Sequence, residues 1–174
     1  MVKNYKKLNE ESISIMTKLL YMDVDGTLTD GTIYIGLEGE VFKAFNSRDG
    51  YGISCILPKY KCIPVIITAR VSIAVTVRCS ELGIVEIHQG CSNKKEQMLK
   101  VAKKYGIFMN EKGKLPNTAY IGDDFPDLPG MEIAEITGCP SDATKTICKY
   151  SDFVSEYNGG HGAVRDFIDW LFLR

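Results

Sequence analysis

Leu19-Leu20-Tyr21-Met22-Asp23-Val24-Asp25-Gly26-Thr27 joins four apolar residues to two carboxylates one residue apart. The apolar run reads as a buried strand, and the aspartates fall where the backbone leaves the sheet. The same arrangement returns further along, where Thr118-Ala119-Tyr120-Ile121 runs into Gly122-Asp123-Asp124-Phe125-Pro126-Asp127. Burying so much negative charge is costly unless a cation sits among it. Ligands that are all oxygen point to Mg²⁺, which keeps several waters and recruits phosphate oxygens. Either cluster alone could be a set of turn and N-cap aspartates. Two clusters, each following an apolar strand, point to phosphate chemistry on a metal.

Working outward, apolar β-rich runs recur at 18–22, 63–67, 84–87, 118–121, 133–137 and 152–154. Helical patterns fill the gaps at 50–59, 71–82, 93–105, 126–131, 143–149 and 162–173. Continuous apolar strands alternating with helices predict an α/β fold: a Rossmann-like, doubly wound parallel sheet with helices on both faces. One region breaks the rhythm. Residues 32–35 and 40–45 alternate apolar and polar positions around the turn-like Gly36-Leu37-Glu38-Gly39. That pattern predicts a β-hairpin protruding just after the first strand. With Tyr34 and Phe42 exposed on it, such a hairpin calls for cover by another subunit.

The 174 residues suit one domain spanning 1–174, with 1–17 as a polar N-terminal extension holding a helical turn around 9–16. A net charge of −1 gives nucleic acid or an anionic membrane no electrostatic reason to bind. No apolar run approaches the ~20 residues of a membrane span. No signal-peptide core follows the basic first residues, so the expected compartment is cytoplasmic. Six cysteines form no C-x-x-C pair, which leaves reduced and mostly buried thiols. His88 and His161 are too few and too far apart for a histidine metal site.

In open parallel sheets ligands bind beyond the carboxyl ends of the strands, and the acidic motifs fall at such ends. Asp23 is the expected nucleophile, accepting a phosphoryl group. Asp25, two residues on, is the expected acid and base. Asp123 is the favoured direct metal ligand, with Asp124 and Asp127 holding metal-bound waters or orienting neighbours. Thr68 ends a strand and is expected to open the next helix, where its hydroxyl and free amides either hold a phosphate oxygen or simply cap. Lys94 sits near a helix start, where the dipole gives a cation no benefit, so it reads as the counter-charge to phosphate and nucleophile. Its neighbour Lys95 reads as the solvated lysine. Asn46-Ser47-Arg48-Asp49-Gly50 is placed to bind the polar body of a substrate or to cap the following helix. Arg70 and Arg78 are candidate binders of carboxylate or phosphate, or surface residues.

Asp23 through Gly31, Thr68, Lys94 and Gly122-Asp123-Asp124 with Asp127 together resemble the four motifs of the haloacid dehalogenase superfamily of phosphatases. The resemblance spans most of the chain. No helix-sized insertion follows the first motif, which is similar to the capless subgroup. Phe45-Asn46-Ser47-Arg48-Asp49-Gly50, Thr68-Ala69-Arg70, Gln89-Gly90-Cys91-Ser92-Asn93-Lys94 and Gly159-Gly160-His161-Gly162-Ala163-Val164-Arg165 extend it to the branch acting on phosphorylated sugar acids. The resemblance implies Mg²⁺ held by Asp23, the backbone carbonyl of Asp25 and Asp123, with Asp124 beside them. It implies substrate contacts from Asn46 to Gly50 and from Arg70, Arg78, Lys94 and His161, the last standing where arginine is usual. Arg70 favours 3-deoxy-D-manno-octulosonate 8-phosphate as substrate, for a lipopolysaccharide core. The alternative is a 9-phosphorylated nonulosonate of the acylneuraminate type, for a sialic-acid-type glycan. The resemblance further implies a homotetramer in which the hairpin and the C-terminal segment contact neighbouring subunits. Two other classes stay open: a non-catalytic tetramerisation module, like those fused to acylneuraminate cytidylyltransferases, and a phosphoacceptor signalling domain.

Overall fold

A computed structural model describes residues 17–173. The helical turn expected around 9–16 lies outside them. Among the described residues eight strands are present: β1 (Leu19–Met22), β2 (Ile35–Gly36), β3 (Gly39–Glu40), β4 (Ile63–Ile67), β5 (Glu86–His88), β6 (Leu115–Ile121), β7 (Ala134–Cys139) and β8 (Phe153–Val154). Six of them form one sheet in the order β5-β4-β1-β6-β7-β8, with every neighbouring pair parallel. The expected six-strand parallel sheet is therefore the observed one, and β1 lies inside it between β4 and β6.

Among the described residues there are six α-helices: α1 (Ser47–Tyr51), α2 (Ile73–Glu81), α3 (Lys94–Lys104), α4 (Leu128–Ile133), α5 (Lys145–Tyr150) and α6 (Ala163–Phe172). Alternation along the strands decides which face each helix covers. Leu20, Met22, Ile66, Ala119 and Ile121 point to one face, where α2, α6 and the turns after α1 cover them. Leu19, Tyr21, Val65, Ile67 and Tyr120 point to the other, against α3, α4 and α5. On α6 the buried positions Val164, Phe167, Ile168 and Leu171 follow the i, i+3, i+4, i+7 spacing of an amphipathic helix. The helix expected at 50–59 starts earlier. Asn46 caps α1 by accepting from the Arg48 amide at 2.8 Å, and the chain continues as a π turn over Gly52–Ile56 and a 3₁₀ turn over Leu57–Tyr60.

The hairpin is present but much shorter than expected, with a two-residue ladder on each arm. Beyond it, the Val41 amide still bonds the Tyr34 carbonyl at 2.8 Å, and Tyr34 stacks on Phe42 with ring centroids 4.3 Å apart. The second arm then leaves the ladder, because Lys43 is drawn inward to charged partners.

Asp49, expected among the substrate contacts or as a cap, caps a helix distant in sequence. It is buried, and its Oδ1 accepts from the Arg165 amide at 2.7 Å in the first turn of α6. Gly162, at the start of that helix, offers no side chain to cap it, so a carboxylate distant in sequence does so. Burial pushes the Asp49 carboxyl up to about 6, although the Arg165, Gly162 and Val164 amides pull it down. Among the described residues, its Oδ2 has no hydrogen-bond partner. A folded-state value above the ordinary one means stability is fully present below about pH 4 and is lost as pH rises through about 6. That gap corresponds to roughly 3 kcal/mol. Asp49→Asn keeps an acceptor and removes the charge. Its stability relative to the parent is expected to rise by roughly 2–3 kcal/mol between about pH 4 and pH 7, on top of any constant offset. Urea unfolding across that range measures it, and a pH-independent difference would count against this origin.

Candidate active site

The loops after β1 and β6 are tied together where the Asp23 amide donates to the Ile121 carbonyl at 3.1 Å. Two glycines let the carboxylates converge. Gly26 has φ +93°, and a Cβ there would lie 2.2 Å from Asp123 Oδ2. A Cβ on Gly122 would lie 2.4 Å from Asp127 Cγ. With both positions clear, Asp23, Asp123 and Asp127 each bring an oxygen within 4.8 Å of the others.

Asp127 anchors this cluster. Its Oδ2 accepts from the amides of Asp123 and Asp124 at 3.0 and 3.3 Å, and its Oδ1 from Tyr120 Oη and Lys94 Nζ at 2.8 and 2.7 Å. Lys94 Nζ also donates to Asp23 Oδ1 at 2.6 Å, which makes it a buried bridge between the two motifs. Thr27 Oγ1 donates to Asp123 Oδ1 at 3.1 Å. Among the described residues, no donor reaches the other oxygens of Asp23 and Asp123.

Three carboxylates thus cluster beside one ammonium, which bonds two of them. Burial first, then the charge of Asp127, raises the Asp23 carboxyl well above its usual range despite Lys94. Burial and Asp127 likewise push Asp123 up to about 7. Burial acts to lower Lys94, but Asp23 and Asp127 outweigh it, so its ammonium holds its proton more tightly than usual. A site short of positive charge, with two half-used carboxylates and only oxygen donors, fits Mg²⁺.

Several expected site residues lie elsewhere. Asp124 is exposed, and its Oδ1 caps the 3₁₀ turn Phe125–Asp127 by accepting from the Phe125 amide at 2.8 Å. That turn brings Asp127 back into the cluster in its place. The Asp25 side chain is not among the three clustered carboxylates and pairs with Lys43. Thr68 is buried at the end of β4 but opens no helix. Its amide donates to the His88 carbonyl at 3.0 Å and its Oγ1 accepts from the Arg70 amide at 3.4 Å, while α2 begins at Ile73.

On the rim, Arg70 pairs with Glu40 at 3.3 Å and Arg78 with Glu81 at 3.2 Å. Gly50 lies against Arg78, whose Nη2 would be 2.4 Å from a Cβ there and would have to shift. Ser47 and Arg48 are exposed, and Arg48 lines an open cavity of about 330 Å³ with Tyr157 and Arg165. Asn46 Nδ2 donates to the Gly160 carbonyl at 3.3 Å. Gly159 and Gly160 press on the first acidic loop of their own chain: the Gly160 amide donates to the Thr27 carbonyl at 3.0 Å, and a Cβ on Gly159 would lie 1.9 Å from the Gly26 carbonyl oxygen. His161, next to them, is exposed, its Nδ1 2.8 Å from the Gly159 carbonyl oxygen. No disulfide joins the six cysteines, all of which lie among the described residues; Cys62, Cys79 and Cys139 are buried, Cys91 and Cys148 partly so, and Cys55 is exposed. Sequence reasoning missed Lys43, Glu40 and Tyr120. Only their proximity in sequence to recognised motifs could have drawn notice.

A parallel sheet with its nucleophile candidate at the end of β1, a bridging lysine and a second aspartate loop after β6 defines a phosphatase of the haloacid dehalogenase superfamily. The 3-deoxy-D-manno-octulosonate 8-phosphate phosphatase KdsC of Salmonella typhi is 42% identical over 167 residues, covering 93% of this chain and 85% of that protein. The crystal structure of 3-deoxy-D-manno-octulosonate 8-phosphate phosphatase from Yersinia pestis superposes with a TM-score of 0.85 at 35% identity, covering 94% and 85% of the two chains. That of the Moraxella catarrhalis enzyme, in complex with a magnesium ion, a phosphate ion and KDO, superposes with a TM-score of 0.83 at 36% identity, covering 92% and 88%. The chain belongs to the 3-deoxy-D-manno-octulosonate 8-phosphate phosphatase family. No family model matches it.

Proposed function

We propose that the protein hydrolyses 3-deoxy-D-manno-octulosonate 8-phosphate through a phosphorylated Asp23. The observation that carries this reading is the buried Lys94 bridge, which holds Asp23 among carboxylates that lack positive charge. A free oxygen of Asp23 attacks phosphorus, the bond from phosphorus to the sugar oxygen breaks, and Asp25 gives its proton to the departing alkoxide. Water then attacks the same phosphorus, its proton passes to Asp25, and inorganic phosphate leaves Asp23 as a carboxylate. Lys94 offsets charge on the transferring group and on the nucleophile. Asp23 and Asp123, with the Asp25 carbonyl, would hold Mg²⁺ from the first and second acidic loops, with Asp127 fixing that second loop. Bound there, the ion screens the repulsion between carboxylate and phosphate. Asn46, Ser47, Arg48, Gly50, Arg70, Arg78, Thr68 and His161 form the surrounding recognition set.

The octulosonate is favoured by the names of the relatives and by the KDO bound in the Moraxella protein. Residues 1–174 serve as one capless catalytic domain, with residues 1–17 as an extension. No helix among the described residues is long and apolar enough to cross a membrane. We place the reaction in the cytoplasm and its product in lipopolysaccharide synthesis. Phosphate release from a panel of phosphorylated octulosonates, nonulosonates and aldoses tests the reading. The octulosonate is expected to give the highest kcat/KM with Mg²⁺, and EDTA is expected to reduce release at least ~100-fold. Preference for an aldose phosphate, or turnover indifferent to EDTA, would overturn it.

The apolar outer side of the hairpin supports a homotetramer in which neighbours supply the missing cap. Ile35 and Val41 are 66% and 62% exposed, and Leu37 and Phe42 lie open beside them. Light scattering is expected to report four copies, shifting to smaller species in Leu37→Asp. A monomeric parent protein would remove the assembly.

A further inference from the structure

The hairpin carries two charged side chains that are far more buried than its apolar ones. The side chain of Lys43 is 1% exposed and that of Glu40 14%. Lys43 Nζ bonds Asp25 Oδ1 and lies 3.1 Å from Glu40 Oε2. Glu40 is held in turn by the Ser72 hydroxyl on its Oε1 and by the Arg70 guanidinium, 3.3 Å from its Oε2. Among the described residues, Lys43 is the only side chain bonded to the Asp25 carboxylate.

An ammonium so deeply buried is costly unless well paired, and the short hairpin ladder does not require it. Its partners explain it. Asp25 must give a proton to one oxygen and take one from another, so its carboxyl has to be fixed relative to both. We infer that Lys43 is a positioning residue for Asp25, and that Glu40, anchored on Ser72 and Arg70, holds Lys43 in place. The relay Ser72/Arg70–Glu40–Lys43–Asp25 joins the loop after β4 and the hairpin to the acidic loop after β1. This inference rests on the phosphatase reading above.

The leaving group separates positioning from general support. A sugar alkoxide needs a proton as it departs, whereas a nitrophenolate barely does. In the full-length protein with Mg²⁺, Lys43→Met is expected to lower kcat/KM for the sugar-acid phosphate about 30-fold. Its loss on p-nitrophenyl phosphate is expected to be about tenfold smaller. Lys43→Arg should regain part of the difference. Glu40→Gln, which leaves both hairpin arms, should show the same inequality at about fivefold. Circular dichroism checks the fold; if Lys43→Met does not fold, the inequality in Glu40→Gln decides. Equal losses on both esters overturn the role of Lys43, as does a raised KM with kcat intact, which would make it a substrate contact. A parent protein that hydrolyses neither ester overturns the phosphatase reading and this inference with it.

Discussion

Asp23→Asn is expected to lower phosphate release by roughly 10³-fold or more while leaving the protein folded. The amide matches the carboxylate in size but is a poor nucleophile toward phosphorus, and it forms no stable phosphoenzyme. The fold should tolerate the change. Asp23 is buried with its carboxyl held well above the usual range, so its charge is already penalised where no cation accompanies it. Lys94 keeps Asp127 as a partner at 2.7 Å after the substitution. The metal-free variant is therefore expected to unfold at the parent's temperature or above, and rapid acid quench should trap phosphate on the parent and none on the variant. Turnover retained within tenfold would remove Asp23 as nucleophile, whatever the fate of the fold.

The sheet was readable because the central strands β1 and β4 are apolar on both faces, which no half-solvated strand would be. Leu19 to Met22 announces a central strand, and the helix periodicity between strands supplies the doubly wound order. The cluster was readable because carboxylates stacked at two strand ends have no purely structural purpose. Other features depend on geometry that local pattern does not encode. Asp124 and Asp127 are both acidic, and only the 3₁₀ turn between them decides which caps and which joins the cluster. Asp49 caps a helix 116 residues away, a relation without any short-range signature. Lys43 looks like the solvent side of a hairpin until the chain folds back on Asp25. Thr68 looks like a helix start, but Ala69 to Ser72 run on before α2 and leave its hydroxyl to the Arg70 amide.

Lys94→Met should have the second large effect, and on two properties at once. Methionine fills similar volume without charge, so the change isolates the ammonium. Lys94 donates to Asp23 at 2.6 Å and to Asp127 at 2.7 Å, and all three side chains are nearly inaccessible. Removing one member of such a buried group leaves uncompensated charge and typically costs about 3–5 kcal/mol. That loss should be largest in metal-free protein near pH 8. Without Lys94 the carboxyl of Asp23 takes up a proton more readily, so the loss should shrink as pH falls toward about 5. In the parent, the raised Lys94 value means its contribution persists through neutral pH and fades only in strong base. Mg²⁺ should restore part of the stability by binding the folded state, yet kcat should stay at least ~100-fold below the parent, since the ion cannot stand where the ammonium meets the phosphoryl group. Urea unfolding with and without Mg²⁺ at the two pH values, beside phosphate release, measures all of this. Lys95→Met is the control, because Lys95 joins neither carboxylate, and a surface change of that kind should stay within about 0.5 kcal/mol. Equal stability of Lys94→Met and the parent in metal-free buffer would show that the bridge does not hold the two acidic loops together.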